Sequence, residues 1–151
     1  MIGLFTELEK EREVFCDMST RAIVIDSRVK GKGFWIRHDG YPAGLGVDLK
    51  SIFSKSKSIE QVCLELINLR TERDRVIASR TGTPFPDING GIMSLTFEQV
   101  ELCKKSGANA LWNQFGIDAA YSYKFRSDGV YVVGGNIPKF RKVQAYETIR
   151  S

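Results

Sequence analysis

The sequence predicts an α+β fold, a single domain in which one antiparallel sheet, built from an N-terminal and a C-terminal β-hairpin, carries two to four helices on one face. Three observations lead there. Ala22-Ile-Val-Ile25 and Phe34-Trp-Ile-Arg-His38 are short apolar runs, rich in β-branched and aromatic residues, on either side of a Gly/Lys loop. Near the other end, Tyr121, Tyr123 and Phe125 alternate with Ser122, Lys124 and Arg126, and Asp128-Gly129 offers the favoured two-residue turn into Val130-Tyr-Val-Val133. Between these hairpins the apolar residues recur at helical spacing.

Taken in order, residues 1–17 form an acidic helical extension, with Met1, Leu4, Phe5 and Leu8 on one stripe, and residues 18–151 form the domain. Ala22–Ile25 has no polar alternation, the pattern of a strand covered on both faces. On the returning strand Phe34 and Ile36 share one face, and Trp35 and Arg37 share the other. Asp39-Gly40 ends it, and Tyr41-Pro42 directs the chain into a short helix whose stripe is Leu45, Leu49, Ile52 and Phe53. Ser58 followed by Gln61 is a capping box, and it opens the clearest helix, with Ile59, Val62, Cys63, Leu66 and Leu69 on one face and a charged exit over Arg70–Arg75. Residues 79–92, with a Pro pair and a Gly pair, read as a long surface loop fit for binding. Thr96 with Gln99 repeats the capping box, Gly107 stops that helix, and residues 109–115 supply another turn or two. After Gly134-Gly135 a basic stretch, Pro138 to Lys142, continues as an edge strand.

Composition narrows the function classes. At 151 residues, with 42% hydrophobic and 26% charged residues, the chain is long and apolar enough for one self-sufficient core. No apolar run approaches the roughly 20 residues that span a bilayer. The acidic first residues lack a secretory signal, so the expectation is a cytoplasmic protein without membrane partners. Cys16, Cys63 and Cys103 form no CxxC pair, and a single histidine rules out a histidine metal cage. The phosphate loop GxxxxGK[ST], the GxSxG elbow and the HExxH zinc helix are all missing, so no cofactor and no metal are expected. Charge is uneven: residues 1–20 hold five acids against two bases, and the rest holds twenty bases against thirteen acids. A basic body suits an acidic partner such as nucleic acid, although such a surplus more often only solvates a surface.

Ser19-Thr-Arg-Ala22 and, after the hairpin, Arg37-His-Asp-Gly-Tyr-Pro42 resemble a set of small proteins encoded by phages and prophages. Its members open with Met-Ser-Thr-Arg-Ala and carry an aromatic-Arg-His-(Ser)-Asp-Gly-Tyr-Pro turn. The likeness covers Met18–Leu49, is weaker over Ser122–Val133, and is absent between. It implies a setting on mobile genetic elements and no particular reaction. This chain departs from the pattern by its 17 residues before Met18 and by the missing Ser between His38 and Asp39.

The candidate binding residues are Arg37, His38, Asp39, Tyr41 and Arg21. A histidine near neutrality can act as a base, an aspartate can orient it and an arginine can hold an anion. Neighbours on a strand face opposite ways, however, and Asp-Gly is a turn in its own right, so a structural role competes with ligand contact, and catalysis comes last. Arg21, with the hydroxyls of Ser19 and Thr20, could hold a phosphate or carboxylate, but is better suited to pairing with an acid of its own domain. A second surface combines Lys124, Arg126, Lys139, Arg141 and Lys142 with Tyr121, Tyr123 and Tyr131, a mixture used by single-strand binders, although alternation should turn the tyrosines inward. The leading expectation is a non-enzymatic binding protein that modulates an unidentified host or defence protein through Arg37–Tyr41 and the 79–92 loop, with self-association through residues 1–14 an added option. The alternatives are an enzyme or small-ligand binder using Arg37, His38 and Asp39, and a nucleic-acid module using the C-terminal hairpin.

Overall fold

A run as uniformly apolar as Ala22–Ile25 needs cover on both faces, and this requirement organises the molecule. The computed structural model describes residues 20–82, 91–145 and 147. The predicted helix within residues 1–14 and residues 83–90 of the predicted loop lie outside the described residues.

All five residues of β1 (Ala22–Asp26) are buried. It lies inside a six-stranded sheet with β2 (Gly33–Ile36), β3 (Ile92–Ser94), β4 (Tyr121–Arg126), β5 (Gly129–Gly134) and β6 (Ile137–Lys142), in the order β3-β2-β1-β4-β5-β6. The two predicted hairpins therefore share one layer, and the fold is α+β. The sheet is mixed rather than antiparallel, because β1 and β4 run parallel, Ala22 beside Tyr121 through Asp26 beside Phe125. Ala120 and Tyr121 begin this pairing by donating their backbone N–H groups to the Arg21 carbonyl. Hairpin rules govern each ribbon internally but say nothing about which way one ribbon lies against the other.

The helices are α1 (Val47–Ile52), preceded by a π-helical turn over Pro42–Gly46, then α2 (Ile59–Thr81), α3 (Phe97–Ser106) and α4 (Ala108–Phe115). They cover both faces of the sheet, contrary to the one-sided packing predicted. On the first face Val24, Phe34, Ile36, Tyr123, Phe125 and Val132 meet Leu45, Leu49, Val62 and Leu66. On the second, Ile23 and Ile25 meet Val100 and Cys103 of α3 and Leu111 of α4, with Trp35 packed alongside. The alternate residues of β1 serve the two cores in turn, each large side chain contributing about 1.5–3 kcal/mol.

Both predicted capping boxes form, Ser58 with Gln61 and Thr96 with Gln99. The long helix runs further than its charged exit suggested, to Thr81, where Gly82 ends it with a left-handed φ of 73°. Residues 79–81, predicted as loop, are thus its last turn.

Candidate functional site

The Arg37–Pro42 segment is a turn braced from below. Asp39 takes a left-handed φ of 59°, which aspartate tolerates better than most residues. Buried Arg70 of α2 reaches up and donates to the His38 carbonyl at 2.8 Å and the Asp39 carbonyl at 3.0 Å. The Gly40 carbonyl accepts from the Tyr123 hydroxyl at 2.7 Å, and the Gly40 N–H donates to the Thr20 carbonyl. Arg37 donates its backbone N–H to the Gly91 carbonyl. Alongside, Arg73 grips the buried Asp48 carboxylate through two hydrogen bonds of 2.9 and 2.8 Å. Burial pulls the Arg70 guanidinium below its ordinary pKa, and Asp39 and Asp48 counteract this.

Four of the predicted binding residues thus sit on one strut-supported turn, with Arg37 exposed and His38, Asp39 and Tyr41 half-buried. His38, Asp39, Arg70, Arg73 and Asp74 enclose a cavity of about 30 Å³. That is the share of a single water molecule, too little for a substrate. Arg37 is not among the residues lining it. Arg21 pairs with Asp118 at 3.2 Å, which is the domain-internal role weighed above.

A larger space lies on the other side of the sheet. Lys124 and Tyr131 are cross-strand neighbours, as are Tyr131 and Lys142, and Lys124 is level with Ile25. All therefore share the face whose inner half is covered by α3 and α4. Beyond those helices, β4, β5 and β6 border a half-open groove of about 770 Å³. Its floor includes Ser122, Lys124, Val133 and Phe140, and its wall is the α3–α4 corner with Cys103, Lys104 and Asn109.

Cations and rings interleave on this sheet face, Lys124 and Phe140 in the groove and Arg126 and Tyr131 beside it. The Lys124 Nζ stands 3.9 Å from the Phe140 ring centroid, and the Arg126 guanidinium carbon stands 4.5 Å from that of Tyr131. Asp128 accepts from the Tyr131 hydroxyl at 2.8 Å and faces Lys142 at 3.7 Å. Those contacts hold the Asp128 carboxyl below its usual range and raise the Tyr131 phenol. Desolvation and then the neighbouring Arg126 lower the pKa of Lys124. At the corner, α4 begins at Gly107 without any side-chain cap, so its first N–H groups add partial positive charge to the wall.

The five cations of the predicted basic surface do not act together. Arg141 is level with the core residue Val132, so it lies on the first face, where it binds Glu147 through bonds of 2.9 and 2.7 Å. Lys139, two residues away on the same strand, alternates to that side as well. Lys124, Arg126 and Lys142 remain together. Of the tyrosines, Tyr123 is wholly buried as alternation predicted, whereas Tyr131 stays with the cations. Sequence reasoning missed Phe140, whose position between Lys139 and Arg141 reads as a plain basic edge until the register puts it opposite its neighbours.

The one thiol lining the groove is shielded. Burial pushes the Cys103 thiol up to about 11, from a reference of 9.0. At neutral pH this leaves about a hundredfold less thiolate than a free cysteine carries. Alkylation of Cys103 by iodoacetamide at pH 7.5, followed by peptide mass spectrometry, should therefore run about two orders of magnitude slower than that of a free thiol. Labelling at the free-thiol rate would show that the residue is not shielded.

No family model, curated protein or solved structure matches this chain.

Proposed function

We propose that this chain is a non-enzymatic binding protein of a mobile genetic element, which seats an anionic partner on the open half of its sheet and thereby modulates a host or defence system. The observation that carries this reading is the groove of about 770 Å³ lined by Lys124 and the exposed Phe140, with the Arg126–Tyr131 pair beside it on the same sheet face. Preorganised cations in a concavity raise the local concentration of an oppositely charged partner. The shielded Cys103 thiol supports binding over nucleophilic catalysis. The Ser19–Ala22 and Arg37–Pro42 motifs support the mobile-element setting, and the thiols Cys63 and Cys103, both unpaired, fit a reducing cytoplasm.

This reading moves the working surface away from Arg37–Tyr41, whose carbonyls are occupied by Arg70 and Tyr123. Capture from host lysate with wild type, Lys124→Glu and Arg37→Ala tests the move. Material retained by wild type should be lost, at least tenfold, with Lys124→Glu and kept with Arg37→Ala. The reverse pattern would return the function to the turn and overturn the proposal.

A further inference from the structure

We infer that the occupant of this sheet face, in the groove and beside it, is single-stranded nucleic acid, with unpaired bases stacked on Phe140 and Tyr131 and the phosphates held by Lys124, Arg126 and Lys142. The inference rests on the open sheet face as the working surface and adds the chemistry of what binds there.

Charge complementarity selects a polyanion. The three cations lie on one face of two adjoining hairpins, held in place by cross-strand register. Desolvation and crowding by Arg126 lower the Lys124 pKa, an arrangement relieved by an incoming phosphate. The start of α4, which has no side-chain cap, lines the same concavity.

The rings then select among polyanions. An acidic peptide would satisfy the cations but offers the aromatic floor no regular series of flat rings beside its charges. Phe140 is 39% exposed, and the Lys124 ammonium stands over its ring. Tyr131 is covered in the same way by Arg126. A guanidinium or ammonium over a ring occupies the place a base would take, and it can swing aside to a phosphate as the base stacks. A duplex keeps its bases stacked on one another and could not use this floor, so the strand must be unpaired. Pro138 and Val133 extend the floor with apolar surface and without further charge.

The test is fluorescence anisotropy with a fluorescein-labelled oligo(dT) of roughly 16 nucleotides. Wild type should bind at low salt, with a log–log salt slope of about −2 for three phosphate contacts on a single strand. Phe140→Ala should weaken binding about tenfold, and Phe140→Trp should restore it, because stacking needs a flat ring rather than bulk. Phe140 is on the surface, so unfolding curves of both variants should overlay that of wild type. Equal binding of a blunt duplex would overturn the inference, as would wild-type binding indifferent to Phe140→Ala. Retention of a polyglutamate chain without oligo(dT) would also overturn it, while leaving the broader proposal of an anion-binding face standing. Failure of both ligands to bind at about 50 mM salt would remove the face altogether.

Discussion

Arg70→Met should destabilise the domain by about 3 kcal/mol, read as a shift in the urea unfolding midpoint. Methionine keeps most of the volume of arginine and removes its donors. Two carbonyls, those of His38 and Asp39, then lose their charge-assisted partner at 2.8 and 3.0 Å. Hydrogen bonds to a charged group contribute about 1.5–3 kcal/mol each, and a part of that sum returns because a buried guanidinium no longer has to be desolvated. Arg70→Lys should recover less than half of the loss, since one ammonium lacks the planar fork that reaches both oxygens. A shift below about 1 kcal/mol for Arg70→Met would mean that water replaces the strut at no cost. The turn would then stand without its support from α2.

Gly134→Ala should cost about 3 kcal/mol or more, enough to lower the thermal midpoint by several degrees. Gly134 pairs with Tyr121 across β4–β5 and holds φ at 130°. A methyl group there would sit 2.2 Å from the Ala120 carbonyl oxygen and 2.8 Å from the Tyr121 Cα, both of them backbone and unable to yield. Local backbone strain of 1–3 kcal/mol adds to a similar overpacking term. Gly82→Ala is the control. Its φ of 73° carries comparable local strain, but nothing lies within 4 Å, so only about 1 kcal/mol should be lost. Equal effects at the two positions would show that strain alone, and not the close approach of β4, sets the penalty at Gly134.

The local grammar of the chain was legible where a short window holds all the information. Ser58 with Gln61 and Thr96 with Gln99 each specify their own geometry within four residues, whereas the hairpin turn predicted at Asp128-Gly129 falls one residue earlier, at Ser127-Asp128, because Gly129 pairs with Arg126. The split of Phe34 and Ile36 from Trp35 followed from strand alternation alone. What escaped was non-local. The parallel contact of β1 with β4 joins residues about a hundred positions apart, and no periodicity encodes direction across such a gap. Yet the apolar run Ala22–Ile25 already carried the clue that both faces of the sheet would be covered, which one-sided helices could not satisfy. At the candidate sites the limits were of the same kind. His38 and Asp39 looked chemical in sequence because Arg70, some thirty residues on, was not visible as the group that takes their carbonyls. Phe140 looked incidental because only strand register places it beneath Lys124.

The parallel seam between β1 and β4 also has a meaning for how the protein is made. During synthesis β1 leaves the ribosome long before its neighbour at Tyr121–Arg126 exists, so one side of an apolar ribbon must wait with unpaired amides and carbonyls. Closing that seam comes late and sets the pace of maturation, because loop-closure entropy over such a span is spent before any contact rewards it. The nascent chain is most exposed to mispairing in that interval, and a holding chaperone would have its natural target there.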